Sequence, residues 1–162
     1  MPPVADMPKP TVAHGQWMAP RPVMCRMVPS VTSWMDTDVP PALPGLVYAK
    51  LGDVGYQRFH DFSRWPDGWT GEHSHAVGWG TYRNFQKFLQ AAHFVTAQHP
   101  PSIFLTDEGY FELTWEDREG RTIDATIMPD GARYFIESMG EEGVIPPEAL
   151  GEFAARCSQA VF

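Results

Sequence analysis

The tripeptide His73-Ser74-His75 holds the residue types closest to a reaction centre. On an extended chain residues i and i+2 face the same way, so two imidazoles at this spacing can meet one ion. Zinc would need a third ligand, drawn from Glu72, His60, Asp61, His93 or His99, and none of these stands at a recognised ligand spacing. A metal-free alternative sets His73 and His75 beside Tyr82 and Arg83 for acid–base cleavage of a phosphodiester. Either centre would make the chain a small metal-dependent or histidine-based hydrolase or nuclease. The bland reading is two solvent-facing loop histidines, and it is the expectation carried forward, with no cofactor.

The other reactive types are less promising. Cys157 falls on an apolar helical stripe, where a thiol is buried and inert, and Cys25 lies in a proline-rich segment away from any scaffold. The chain has no GxSxG, P-loop or GxGxxG pattern. The paired acids Glu116-Asp117 and Glu141-Glu142 fall in turns and loops, where solvated carboxylates are ordinary. An enzyme is therefore not the leading expectation.

The histidine pair ends a corner, "WPDGWTGEHSHAVGW", that spans Trp65 to Trp79. Its Pro66-Asp67-Gly68 recurs as Pro129-Asp130-Gly131 between two strand-like runs, where it has the composition of a tight turn. The same turn at 66–68 brings Trp65 and Trp69 together. These indoles are expected to clamp the corner to the helix that follows, or to serve as partner contacts.

Three kinds of element must carry this corner. A short helix is predicted over 53–64, capped by Asp53 and presenting Val54, Phe59 and Phe62. A stronger one is predicted over 80–98, with Thr81 as N-cap, with Tyr82, Phe85, Phe88, Leu89, Ala92 and Val95 on one face, and with Pro100-Pro101 as the stop. The period then falls to two. The runs 102–106, 110–116, 122–128 and 132–138 read as strands, joined by short turns that each end in glycine. Phe111, Leu113, Trp115, Ile123, Ala125, Ile127, Tyr134 and Ile136 fall on one side. Residues 140–144 read as a loop. A last helix, from Pro146 toward Val161, carries Leu150, Phe153, Ala154 and Cys157 as its stripe. The expected fold class is α+β: a four-stranded antiparallel meander with helices packed on one face.

Residues 1–45 read differently. They are rich in proline and methionine and show no sustained period. The reading is an extended or disordered arm ahead of a single domain at 46–162. Trp17, Met18, Met24, Met27 and Trp34 make the arm suited to adaptable contacts. It could dock on the domain itself, on a partner, or on a second copy in an arm-swapped homo-oligomer.

The formal net charge is −8, and residues 101–162 carry thirteen acids against four arginines. That half would repel a phosphate backbone and attract a basic protein. No run approaches 18 apolar residues, so no spanning helix is expected. The N-terminus lacks the usual export pattern, so a cytoplasmic location is expected.

The segments "RFHDFSRWPDGWTGEHSHAVGWGTYRNFQKFL" and "PPSIFLTDEGYFELTWEDREGRTIDATIMPDGARYFIE" resemble a diffuse group of small uncharacterised bacterial proteins. That group shares a Trp/Asp-Gly corner, a helix and an acidic "L-x-W" strand with Asp-Gly turns. The resemblance covers about residues 55–138. It implies a bacterial α+β domain and transfers no catalytic residue. Companions of neighbouring gene products, such as antitoxins or defence components, are often of this size. The leading expectation is thus a non-enzymatic protein-interaction module, antitoxin-like, immunity-like or a defence accessory subunit.

Overall fold

The computed structural model of the chain describes residues 39–94 and 99–159. Residues 1–38 of the arm, with Trp17, Met18, Met24, Met27 and Trp34, lie outside the described residues. In chain order the elements are α1 (Leu43–Phe62), α2 (Trp79–Ala91), β1 (Ser102–Leu105), β2 (Phe111–Glu116), β3 (Thr122–Met128), β4 (Gly131–Ile136), β5 (Glu141–Ile145) and α3 (Leu150–Gln159). The class is α+β, with a five-stranded antiparallel sheet in the order β1-β2-β3-β4-β5.

The inward sides predicted for β2, β3 and β4 are the buried ones. Cross-strand register places them in rows. Ile103, Leu113, Ala125, Tyr134 and Gly143 form one inner row, and Leu105, Phe111, Ile127, Ala132 and Ile145 form the next. Leu43, Val47 and Leu51 of α1, Phe85, Phe88 and Leu89 of α2, and Leu150, Phe153, Ala154 and Cys157 of α3 join the same core.

The fifth strand corrects the expected loop at 140–144. A 3-10 turn over Glu137–Met139 ends at Gly140 (φ 59°) and reverses the chain. Residues 141–145 then pair with 132–136. The strand was hidden because its inward residues are Glu141, Gly143 and Ile145, which show no apolar alternation. Glu141 is tolerated there because the Tyr134 hydroxyl (2.6 Å) and the Arg156 guanidinium (2.8 Å) both donate to its Oε1. The Tyr134 hydrogen bond, then that of Arg156, hold its carboxyl below the ordinary glutamate range. Gly143 leaves space for the Tyr134 ring, which an added Cβ would press at 3.0 Å.

Helix bounds also differ from expectation. α1 begins at Leu43 rather than Asp53, because proline is compatible with a first helical turn and Pro44 occupies it. The helix kinks at Gly52 (φ 69°, ψ −170°), and Val54 just beyond is exposed instead of packed. α2 starts from Gly78, with no side-chain cap, and Thr81 is buried rather than capping. It ends at Ala91: Ala92 is extended, and its carbonyl accepts a 2.6 Å bond from Lys50 Nζ, so the chain leaves the helix well before Pro100. α3 starts at Leu150, since Pro146 to Ala149 form a turn closed by the Ala149 N–H to the Pro146 carbonyl.

Two of the hairpins use one solution. In 106–110 and 117–121 a three-residue loop ends on a glycine with positive φ, Gly109 (79°) and Gly120 (77°). The second loop is locked by Asp117, whose buried carboxylate accepts the Glu119 and Arg121 N–H groups and Arg121 Nε (2.9 Å). Burial alone would push this carboxyl up. The two backbone donors and the guanidinium outweigh it and hold it below the ordinary aspartate range. The folded value is the lower one, so the stabilisation is complete above the unfolded value of about 3.9 and is lost as pH falls through the folded one. Asp117→Ala is predicted to lower stability by about 1–3 kcal/mol at neutral pH, because it removes the buried carboxylate to which three donors of the loop bond. It should also flatten the acid limb of stability against pH. Parallel acid limbs for the two proteins would contradict this.

Candidate functional site

The Trp corner is built on the end of α1. Phe62, Trp65 and Trp69 form a ring ladder, with centroids 4.9 Å and then 4.3 Å apart. The turn does bring the two indoles together, but they stack on the helix before the corner, not on the one after it. Gly68 (φ 80°) closes the loop by donating its N–H to the Ser74 carbonyl at 2.7 Å. Asp67 does not bond its own turn: its Oδ1 accepts the Ala76 N–H at 2.8 Å, nine residues on. The corner is stitched to the β1–β2 turn by the His75 N–H to the Asp107 carbonyl (2.8 Å) and by Thr70 Oγ1 to Asp107 Oδ1 (3.0 Å).

Ser74 decides where the histidines point. Its hydroxyl accepts the Thr70 N–H and donates to the Gly71 carbonyl, both at 3.0 Å, and it is buried. With Ser74 turned in, His73 and His75 on either side are exposed. His75 Nδ1 lies 3.9 Å from Asp67 Oδ1, and both side chains are largely in water. Among the described residues no group of three or more His, Cys, Asp or Glu is arranged to hold a metal ion. Tyr82 is packed in the core against Phe59 and Phe111, whereas its neighbour Arg83 is exposed, as are His73 and His75.

Cys157 is buried in the α3 stripe, and burial pushes its thiol up to about 12. In a Cys25→Ser background, alkylation of the native protein at neutral pH should be slower than that of the unfolded chain by roughly two orders of magnitude or more. Equal rates would return Cys157 to the list of reactive groups.

The second surface, missed by sequence reasoning, is the outer face of the sheet. All three helices join the core on the inner side, and the outer side displays two rows. One runs Phe104, Glu112, Thr126, Arg133 and Val144, the other Ser102, Thr114, Asp124, Phe135 and Glu142. Three apolar side chains stand open on it: Phe104 (44% exposed), Phe135 (39%) and Val144 (66%). Around them are the carboxylates of Glu112, Glu116, Asp124 and Glu142. Thr114 Oγ1 donates to Asp124 Oδ1 at 2.7 Å and fixes that carboxylate.

Between β3 and β5 the face holds a shallow depression of about 450 Å³, lined by Asp124, Thr126, Arg133, Phe135, Glu142 and Val144 among others. Register places Phe135 directly between Asp124 and Glu142. An aromatic face flanked by two carboxylates favours a cation. No family model, curated protein or solved structure matches the chain. What the chain does must therefore be read from its own surfaces. The signal for the second one was available in the sequence: Phe135 follows an inward Tyr134, so it had to point out, and an outward phenylalanine needs an explanation.

Proposed function

We propose that the chain is a non-enzymatic protein-interaction module that engages a basic partner through the outer face of its sheet. Antitoxin-like, immunity-like and defence-accessory subunits are the classes that need such a face. The observation that carries this reading is the pair of open apolar side chains Phe135 and Val144 on adjacent strands, flanked by Asp124 and Glu142, on a face that also exposes Phe104 at its far edge. Exposed aromatics are frequent interface anchors, and the carboxylates beside Phe135 suit a basic partner. The acidic balance, −8 overall, selects against nucleic acid and steers a basic protein toward the surface. Among the described residues no helix is long and apolar enough to cross a membrane.

The test is recovery of the full chain from its native cells at native abundance. A stoichiometric basic partner should co-purify, and Phe104→Asp with Phe135→Ala should release it without loss of fold. Recovery as a free monomer, or retention of the partner by the double variant, would sink the reading.

A further inference from the structure

The two edges of the sheet are treated differently. The β1 edge is covered: α1 lies against β1, and Arg58 Nη1 donates to the Ile103 carbonyl (3.4 Å). The same guanidinium sits over the Phe104 ring at 5.4 Å. Among the described residues the β5 edge has no such cover. Among the described residues, no backbone hydrogen bond outside the β4 ladder involves residues 141–145. Glu142 and Val144 are exposed. An open edge is a template for another strand, and proteins that leave one open without a use for it risk aggregation.

We infer that β5 is a docking edge, on which an extended, lysine- or arginine-bearing segment of a partner protein adds as a sixth strand. The inference rests on the reading of the chain as a module for a basic partner, and it names how that partner binds. Main-chain hydrogen bonds along 141–145 supply the docking, and side chains supply the choice of partner. Strands lie about 4.8 Å apart, so a cation on the added strand is adjacent to Glu142, with the Phe135 ring one strand further in. A lysine or arginine stem spans that distance, laying its apolar length by Val144 and its charge between the Glu142 carboxylate and the ring.

Asp124, another strand away, adds field rather than contact. On the inner side Glu141 is already held by Tyr134 and Arg156, so it does not compete for the cation. Arg133 is the one basic side chain in the outer rows, and it pairs across to Thr126 and Val144, not to Glu142. A second copy of the chain is disfavoured as the occupant, because it would bring its own charge of −8 to an acidic edge.

The test uses the full chain and two synthetic ten-residue peptides with blocked ends, one alternating lysine with valine, the other glutamate with valine. The lysine peptide should bind, shift the amide resonances of 141–145 and slow hydrogen exchange at alternate residues there. Phe135→Ala and Glu142→Lys should each weaken it roughly tenfold or more. Consecutive residues of a strand direct their N–H groups to opposite edges. Of Glu142→Pro and Gly143→Pro, therefore, one breaks the β4 ladder and the other spares it and removes an outward donor, with Gly143→Pro also pressing the Tyr134 ring. The variant that keeps the native melting curve should lose the peptide.

Equal binding of the two peptides overturns the inference, as does no binding of the lysine peptide at millimolar concentration. Retention of the peptide by the folded proline variant, or self-association through β5, does the same. A native partner that survives that proline change but is lost with Phe104→Asp and Phe135→Ala removes the docking edge alone. Absence of any native partner removes the broader reading.

Discussion

Phe111→Ala is expected to cost about 3–5 kcal/mol of unfolding free energy, measured by urea denaturation, and to leave the chain close to its stability limit. Phe111 is fully buried at the start of β2. Its ring centroid lies 4.6 Å from Phe85, 5.6 Å from Phe59 and 5.7 Å from Tyr82. The side chain thus joins three elements: Phe59 belongs to α1, Tyr82 and Phe85 to α2, and Phe111 to the sheet. Deleting the ring forfeits its transfer energy and leaves a void between elements whose backbones are held elsewhere. Asn84, for one, donates to the Met128 and Pro129 carbonyls at 2.8 and 2.9 Å, which pins the start of α2 to the β3–β4 turn. Collapse into the void is then limited, and the cost sits toward the upper end of the range. Phe111→Leu, which keeps most of the volume, should cost much less. A penalty for alanine below about 1.5 kcal/mol would mean that α1 and α2 are not packed on β2 through this ring.

The sheet was legible wherever apolar residues alternate. Phe111, Leu113 and Trp115 with Ile123, Ala125 and Ile127 carry their own register, because a shift by one residue would turn every one of them to water. The α2 stripe was legible for the same reason at a different period. What sequence could not show was structure held by polar groups and by contacts distant along the chain. β5 is a strand because Tyr134 and Arg156 satisfy Glu141, and neither partner is local to it. The end of α2 is set by Lys50, forty-two residues away. The exposure of His73 and His75 follows from Ser74, a residue that attracts no notice beside two histidines. The composition of the Trp corner announced importance, but the geometry makes it a brace: it ties the end of α1 to the β1–β2 turn through Asp67, Ser74 and Asp107. The outer-face residues were readable as outward and were passed over, since outward positions are commonly filled with whatever is soluble.

Gly131→Ala is the second large expected effect, and it bears directly on β5. Gly131 opens β4 at φ 139°, a conformation that side chains rarely adopt. A Cβ there would run into the Ile145 carbonyl oxygen and would sit 2.9 Å from the Ile145 carbon and 3.2 Å from Pro146 Cα. All three are backbone atoms, so no rotamer change relieves the collision: either β5 moves off β4 or the hairpin rebuilds. Strain at the backbone and overpacking each contribute about 1–3 kcal/mol. The loss of chain entropy in the unfolded state offsets roughly 0.4–1 kcal/mol of that. The net expectation is a loss of about 1–5 kcal/mol, with hydrogen-exchange protection falling first along β5 and the facing edge of β4. Gly140→Ala is the matched comparison. Gly140 also has positive φ (59°), but nothing lies within 4 Å of an added Cβ. It therefore suffers only the milder strain of the left-handed region, without the collision, and its unfolded-state effect is the same. The difference between the two variants combines the close approach of 131 to 145, which seats β5 against the sheet, with the harsher backbone conformation at 131. If Gly131→Ala costs no more than Gly140→Ala, β5 does not lie where a sixth strand could extend it. The docking edge would then fail on structural grounds before any peptide is added.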